Sequence, residues 1–277
     1  MSSPDIAVII VTYHRPKAVV RLVDSLISQD LARERYEVCI VDNGGDGPKE
    51  ALASRVDHWV TAHTNLGASA GRNCGVRLTG APVLVFLDDD GVLEQGSLSY
   101  VLACFEREPH LMGIRGRILP LEHPLFSSMA KHYSRGLSIC DELLIIEGAT
   151  AMSRPQYEAV EGYREGLFGN EGLELSERLL TAFPDKKIEY HPSFVLRHDF
   201  VSSWHELWKK AQRMVETTHS VSNETGLDVT MTRALARYKN YRFIDDRSTY
   251  KRTTGWAIKR AYLLFMAAHR VLKWMKK

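Results

Sequence analysis

The chain has little of what would mark a secreted, membrane-spanning or nucleic-acid-binding protein. Only four cysteines occur in 277 residues, Cys39, Cys74, Cys104 and Cys140, and no two form a CxxC pair. This argues against a disulfide framework and a cysteine zinc site, and it predicts small buried thiols in a reduced compartment. No stretch reaches the roughly 18–20 apolar residues that span a bilayer. Met1-Ser2-Ser3-Pro4-Asp5 offers neither the basic n-region nor the cleavage site of a signal peptide, which predicts a cytoplasmic chain. Internal repeats and low-complexity tracts are absent, and no nucleic-acid motif appears.

Charge of one sign is also scarce overall: 36 basic against 34 acidic residues give +2. The balance hides an asymmetry. From Arg247 to the end there are nine Lys/Arg and no Asp/Glu, which leaves 27 basic against 34 acidic before it, a net of −7. An acidic body with a basic tail predicts that the tail meets something anionic.

What is present is a series of apolar strands ending in polar clusters. Ile6 to Val11 is a continuous β-branched run, as expected for a strand buried on both faces. Pro16 suits a first helical turn, and Val19, Leu22, Val23, Leu26 and Ile27 then repeat at helical spacing. Glu37–Val41 and Val83–Leu87 read as further strands, His58–Val60 as a short one, and 68–79 as a helix of small residues. Strands alternating with helices predict an α/β fold with a parallel, doubly wound sheet, whose ligands bind beyond the carboxyl ends of the strands. Those ends read Thr12-Tyr13, Asp42-Asn43 and Asp88-Asp89-Asp90.

The second half is more irregular. Met112–Leu119 and Leu143–Met152 read as strands, 120–142 as a loop over the site, Ser153-Arg154-Pro155 as a helix start, and Glu171–Phe183 as a helix with Leu173, Leu175, Leu179 and Leu180 inward. One or two strands are expected in Ile188–His198, then helices over 203–219, 230–243 and 255–277.

Each polar cluster has a chemical and a plainer reading. Three consecutive carboxylates repel one another unless a cation neutralises them, and Mg²⁺ or Mn²⁺ prefers such hard oxygen ligands. In extended chain Asp88 and Asp90 share a face while Asp89 points elsewhere; the plainer reading is an acidic turn capping a helix. Asp42 suits a nucleoside, or an Asx turn in Asp-Asn-Gly-Gly, and taken alone the turn is stronger. The small residues from Asn65 to Asn73 let a backbone approach a nucleotide, with Arg72 reaching a phosphate, or let a helix pack tightly on the sheet. Glu171 and Glu174 share a helix face and suit a general base, or simply a helix N-terminus. His198 suits a metal shell or a hydrogen-bonded strand end.

The motif order resembles the family 2 glycosyltransferases, which have the glycosyltransferase A fold. The resemblance rests on Val8 to Tyr13, Val41-Asp42-Asn43-Gly44, Asn65-Leu66-Gly67 with Gly71-Arg72-Asn73, and Phe86 to Asp90. It continues through Glu147-Gly148-Ala149, Met152-Ser153-Arg154, Gly169 to Leu175, and His198. It implies a Rossmann-like mixed sheet flanked by helices over residues 1–200, with a nucleotide-binding half to 110 and an acceptor half from 111, followed by a helical extension, 201–277. It implies that Thr12, Tyr13, Arg15, Asp42, Arg72, Asp88 and Asp89 bind the nucleotide, and that Asp90, Asp88 and His198 hold Mn²⁺ or Mg²⁺. The implied donor is a nucleotide-diphosphate sugar, UDP by family habit, and the acceptor a hydroxyl of a glycan or lipid-linked molecule, with inversion at the sugar. One departure matters: Gly172 stands where the family usually has the Asp that serves as base. Glu171 is then the first expectation for that role and Glu174 the second, and a non-catalytic sugar-nucleotide-binding relative is the alternative. A sugar nucleotidyltransferase would need a glycine-rich triphosphate loop after the first strand, which Thr12-Tyr13-His14-Arg15-Pro16 lacks.

In 255–277, Ala261, Leu264, Phe265, Ala268, Val271, Leu272 and Met275 fall on one helical face, with Lys259, Arg270, Lys273 and Lys277 opposite and Trp256 and Trp274 near the ends. The pattern predicts a helix lying on an anionic membrane, so that the protein sits peripherally on its inner face. A helix packed on the body or a dimer contact is the plainer reading.

Overall fold

The computed structural model describes residues 3–127, 133–142, 148–167, 171–225 and 249–275, with side chains in the last two ranges described for 171–213, 215, 256–272 and 275. Its elements run β1 (Ile6–Thr12), α1 (Pro16–Ile27), β2 (Tyr36–Asp42), α2 (Lys49–Leu52), β3 (His58–Thr61), α3 (Gly67–Leu78), β4 (Val83–Asp88), β5 (Val92–Leu93), α4 (Ser97–Arg107), β6 (Leu111–Leu119), α5 (Pro124–Ser127), β7 (Cys140–Glu142), β8 (Ala149–Ser153), α6 (Arg154–Ala159), α7 (Glu171–Ala182), β9 (Lys187–Arg197), α8 (Trp204–Thr225) and α9 (Thr249–Met275).

One mixed sheet organises the chain, in the order β3-β2-β1-β4-β8-β6-β9-β5, with β7 paired to β9. The first four strands are parallel, as the apolar runs predict. β8 then breaks the pattern by running antiparallel to both β4 and β6. A parallel neighbour needs a crossover that carries the chain back to the starting edge, whereas the long excursion between β6 and β8 returns it in the opposite sense. β7 lies inside the stretch expected to be loop, because Cys140–Glu142 pairs with the edge of β9.

Burial on both faces explains the unbroken apolar strands. Ile6, Val8 and Ile10 join Val38, Ile40, Val83 and Val85 on one face, under Val19, Leu22, Val23 and Leu26 of α1 and Leu98 and Val101 of α4. Ala7, Ile9, Leu84 and Phe86 join the other, under Val76 of α3, Tyr157 of α6, and Leu175 and Leu179 of α7. Ile27, which fits the helical repeat, is 45% exposed at the end of α1. On the first face Leu207 and Ala211 of α8 and Ile258 and Tyr262 of α9 belong to the same cluster, so these helices complete the core.

The small residues of α3 answer a packing need. A Cβ on Gly71 would stand 2.8 Å from Val11 Cγ1, and one on Gly75 would stand 2.5 Å from Ile9 Cγ2. The helix therefore rides close on β1, and that proximity carries Arg72 to the ends of β1 and β4.

A second dense feature joins β6 and β7. Arg115 of β6 and Arg135 both bind Glu142 Oε2, at 2.6 and 2.8 Å, and all three side chains are buried. The pair of cations fixes β7 against the sheet.

The expected helix over 230–243, the start of the expected strand at Leu143, and Glu147, Gly169 and Asn170 lie outside the described residues.

Candidate active site at the strand ends

Parallel strands β1, β2 and β4 lie side by side, so their three polar ends share one edge of the sheet. After β4 the chain turns through Asp89 and Asp90 into β5, which pairs antiparallel with the end of β9, Val92 opposite Arg197. That pairing delivers His198, the next residue, to Asp90. Asp88, Asp90 and His198 each offer a ligand atom, and these atoms lie within 4.8 Å of one another.

Asp89, in the turn that follows β4, takes no part in this cluster. It is buried and accepts hydrogen bonds from Thr12 Oγ1 at 2.8 Å and Arg15 Nη1 at 3.0 Å. Arg15 also pairs with Asp90. Burial pushes the Asp89 carboxyl up, against the opposing pull of Arg15. Thr12, Arg15 and Asp89 thus form a brace that ties β1 to the acidic turn. Arg21 adds to it by donating to the Asp90 carbonyl at 3.2 Å.

Burial also works to raise Asp90, but the His198 imidazole and the Arg15 guanidinium outweigh it and hold the carboxyl below its ordinary value. The same attraction raises His198 above its ordinary value, although burial opposes the charge. His198 Nε2 stands 2.9 Å from Asp90 Oδ1 and 3.9 Å from Asp88 Oδ2. Asp90 Oδ1 and, on the other side of the imidazole ring, His198 Nδ1 are buried without a hydrogen-bond partner. A buried carboxylate oxygen without a hydrogen-bond partner, 2.9 Å from an imidazole nitrogen and close to a second carboxylate, is a donor set a divalent cation satisfies. Two carboxylates and one imidazole fit Mn²⁺ and admit Mg²⁺.

Around this centre sit further groups. Arg72 Nη2 lies 3.6 Å from Asp88 Oδ1, and its guanidinium covers the Tyr163 ring at 5.2 Å. Tyr13 is 48% exposed beside the site, and the next residue, His14, adopts a left-handed φ of 54°. Asp42 is only 2% exposed: its carboxylate accepts from the backbone N–H of Gly44, Gly45 and Gly47 at 2.9–3.1 Å. Its visible work is to shape the loop beside Tyr13, in keeping with the Asx-turn reading.

Glu171 opens α7, partly buried. Glu174 is a structural acid: 2% exposed, it binds Arg178 at 2.6 and 2.7 Å and Arg164 at 3.2 Å. Tyr163, next to Arg164, links this helix to Arg72 and so to Asp88.

Sequence reasoning missed Arg21, Tyr133 and Lys210. Tyr133 stacks edge-on to His198, 6.0 Å between ring centroids. Lys210 of α8 donates to the Phe200 carbonyl at 3.1 Å and lies 3.6 Å over the Phe200 ring. Burial and Arg213 lower its ammonium to about 8, against the pull of Asp88 and Asp90. A long-range contact carries no local pattern in the sequence.

Comparison with known proteins agrees with this geometry. The profile described as Glycosyl transferase family 2 matches residues 7–154. The chain is 33% identical over 97 residues to the glycosyltransferase AglE of Haloferax volcanii, covering 31% of each protein. It is 31% identical over 111 residues to an uncharacterized glycosyltransferase of Haemophilus influenzae, covering 38% of this chain and 36% of that one. The chain thus spans about a third of the length of these curated relatives. Among solved structures, the mannosyltransferase PcManGT of Pyrobaculum calidifontis, in complex with GDP-Man and Mn²⁺, superposes with a TM-score of 0.63 at 14% identity, over 98% of this chain and 81% of that one. TarS 1-349 of S. aureus in complex with UDP gives 0.57 at 16%, over 88% and 73%. The mixed sheet with its flanking helices is the glycosyltransferase A fold. With the family profile covering more than half of it, this chain belongs to glycosyl transferase family 2.

Proposed function

We propose that the protein transfers a sugar from a nucleotide-diphosphate donor, with UDP-sugars the first candidates, to an acceptor hydroxyl of a glycan or a lipid-linked molecule, inverting the anomeric carbon. The observation that carries this reading is the convergence of Asp88, Asp90 and His198 at the ends of β4 and β9. GDP-Man and UDP, bound by the two structural neighbours, support the donor class and leave the base open.

The residues take roles from their positions. Tyr13 offers an exposed aromatic face to the nucleoside, beside the loop that Asp42 shapes. Arg72 approaches the diphosphate from α3, where a guanidinium can grip two phosphate oxygens. Thr12, Arg15 and Asp89 hold the acidic turn so that Asp88 and Asp90 keep their spacing. Asp90 and His198, with Asp88, would hold Mn²⁺ or Mg²⁺. A bound cation there would stabilise negative charge on the departing diphosphate.

Glu171 takes the proton of the acceptor hydroxyl. The freed oxygen forms a bond to the anomeric carbon as the bond to the diphosphate breaks, and the nucleotide diphosphate leaves with that electron pair. Glu174 is too firmly held by two arginines to share this task. Gly172 supplies no carboxylate, so the site depends on a residue one position earlier and one methylene longer.

Calorimetric titration of UDP, GDP and dTDP, with and without Mn²⁺, tests the donor reading on wild type and Asp90→Ala. Metal-dependent binding of one nucleotide, lost in the variant, supports it. Binding of none in the wild type points instead to a non-catalytic relative with Gly172 as its mark. A product that keeps the donor's anomeric configuration would exclude the single displacement.

A further inference from the structure

Helix α9 has two apolar faces, and the body covers only one. Ile258 and Tyr262 are buried in the core, with Phe265 and Met266 packed against it. Trp208 of α8 meets Phe265 at 5.1 Å and His269 at 6.5 Å between ring centroids. Pattern alone groups Phe265 and Ala261 with Leu264 and Val271; the structure turns Phe265 inward and separates them.

The other face points away from the protein. Trp256 is 60% exposed, Leu264 68%, Val271 57% and Met275 70%, with Leu263 and Leu272 about half-exposed. At about 100° per residue, Leu264, Val271 and Met275 lie within roughly 40° of one another, opposite Tyr262. Trp256 and Leu263 flank this ridge on one side and Leu272 on the other, each about 80–100° away, and six large exposed apolar side chains over half of one helix exceed the scattered apolar residues of an ordinary surface. Lys259, Arg260 and Arg270 are exposed on the same helix, and the Arg260 guanidinium lies over the Trp256 ring at 4.5 Å.

Charge identifies what covers this face. No Asp or Glu occurs after Arg247. A second copy docked about a two-fold axis would set α9 against α9, bringing Lys259, Arg260 and Arg270 toward their own counterparts with no acid in the helix to answer them. An anionic lipid surface answers both features: acyl chains receive the apolar ridge and headgroups receive the cations. No described helix is long and apolar enough to cross a membrane, so the contact is lateral.

We infer that α9 lies flat on an anionic phospholipid bilayer and docks the protein there through Trp256, Leu263, Leu264, Val271, Leu272 and Met275. The inward face of the same helix packs on Phe200, whose ring meets Tyr262 at 6.4 Å, two residues beyond His198. Docking therefore fixes the strand-end site relative to the bilayer surface. The inference stands apart from the transferase reading, since it concerns a surface on the far side of α9 from the site.

Flotation of the full-length protein with phosphatidylcholine vesicles, with and without phosphatidylglycerol, tests it. Wild type is expected to float with the anionic vesicles at low salt and to be released at high salt. Leu264→Glu/Val271→Glu should lower the bound fraction about tenfold or more, and Lys259→Glu/Arg270→Glu should do so on anionic vesicles. Thermal melting of both variants should match wild type, because all four side chains are exposed. The inference is overturned if wild type does not float with anionic vesicles, or if the apolar double variant floats as well as wild type. It is equally overturned if wild type elutes as a dimer that Leu264→Glu/Val271→Glu dissolves while neither binds vesicles; the face then belongs to a second copy.

Discussion

His198 Nε2 lies 2.9 Å from Asp90 Oδ1, although 108 residues separate them. Their meeting depends on one antiparallel pairing, β5 with β9, which sets the residue after β9 beside the turn before β5. The contact brings two candidate metal ligands and opposite charges together through the fold alone.

Removing His198 should weaken the cation site without dismantling it. His198→Ala leaves Asp88 and Asp90 in place, braced by Arg15, and is expected to reduce Mn²⁺ affinity by at least about 10–100-fold, the range seen when even an outer partner of a metal ligand is lost. Asp90→Ala should abolish measurable binding. Calorimetric Mn²⁺ titration of the nucleotide-free protein reads both. Unchanged affinity in His198→Ala would remove the imidazole from the site.

The same pair should make cation binding pH-dependent. A cation needs the neutral imidazole, and Asp90 holds His198 above its ordinary value. Binding below that raised value must displace a proton, so Mn²⁺ affinity should fall as pH falls, by about tenfold per unit. Titrations in two buffers of different ionisation enthalpy would count the released proton. In the metal-free protein the effect on stability runs differently. His198 is raised on folding, so its contribution is complete below its unfolded value of about 6.5 and is lost as pH rises through the higher folded value. Asp90 is lowered, so its contribution is present above about 4 and is lost as pH falls through the folded value. Asp90→Asn should therefore lower the melting temperature more at pH 6 than at pH 9.

Glu171 and Glu174 should separate chemistry from stability. Glu171→Gln is expected to cut kcat about 10²–10⁴-fold with donor binding and melting intact. Glu174→Gln weakens the acid held by Arg164 and Arg178; both arginines are partly exposed, which limits the cost to about 1–3 kcal/mol. Steady-state kinetics with urea denaturation tells the two apart, and equal kinetic losses without destabilisation would defeat the assignment.

Gly75→Ala tests the close ride of α3 on β1. Alanine gains about 1 kcal/mol in helix propensity, but its Cβ would press within 2.5 Å of Ile9 Cγ2, and overpacking a filled core costs about 1–3 kcal/mol. Ile9 is buried between the sheet and α3, with little room to yield, so a net loss of about 1 kcal/mol is expected in urea denaturation. A more stable variant would show that α3 can shift.

Glu142 offers a sharper stability test. Glu142→Gln removes the only negative charge shared by buried Arg115 and Arg135 in their described ion pairs. Leaving buried cations without their partner costs about 3–5 kcal/mol, so the variant should unfold at markedly lower urea. A change under 1 kcal/mol, roughly the worth of a surface pair, would mean that the cluster is solvated.

The sequence by itself determined the layered α/β half and the residues at its strand ends. Ile6–Val11 and Val83–Leu87 are apolar on both alternations, which only a doubly covered sheet can satisfy, and parallel strands necessarily end on one edge. Asp88 and Asp90 were legible as a pair, although the turn after β4 and not strand alternation sets Asp89 apart from them. Tertiary structure decided what local rules cannot reach. The reversal of β8, the strand within 120–142 and the meeting of His198 with Asp90 all depend on pairings between distant segments. Glu171 and Glu174 share a helix face in the sequence; only the approach of Arg164 and Arg178 commits Glu174 to structure. In α9, periodicity found apolar residues enough for one face, while packing against Trp208 and Phe200 divided them into two. A helix buries what its neighbours touch, and the neighbours are fixed by the fold.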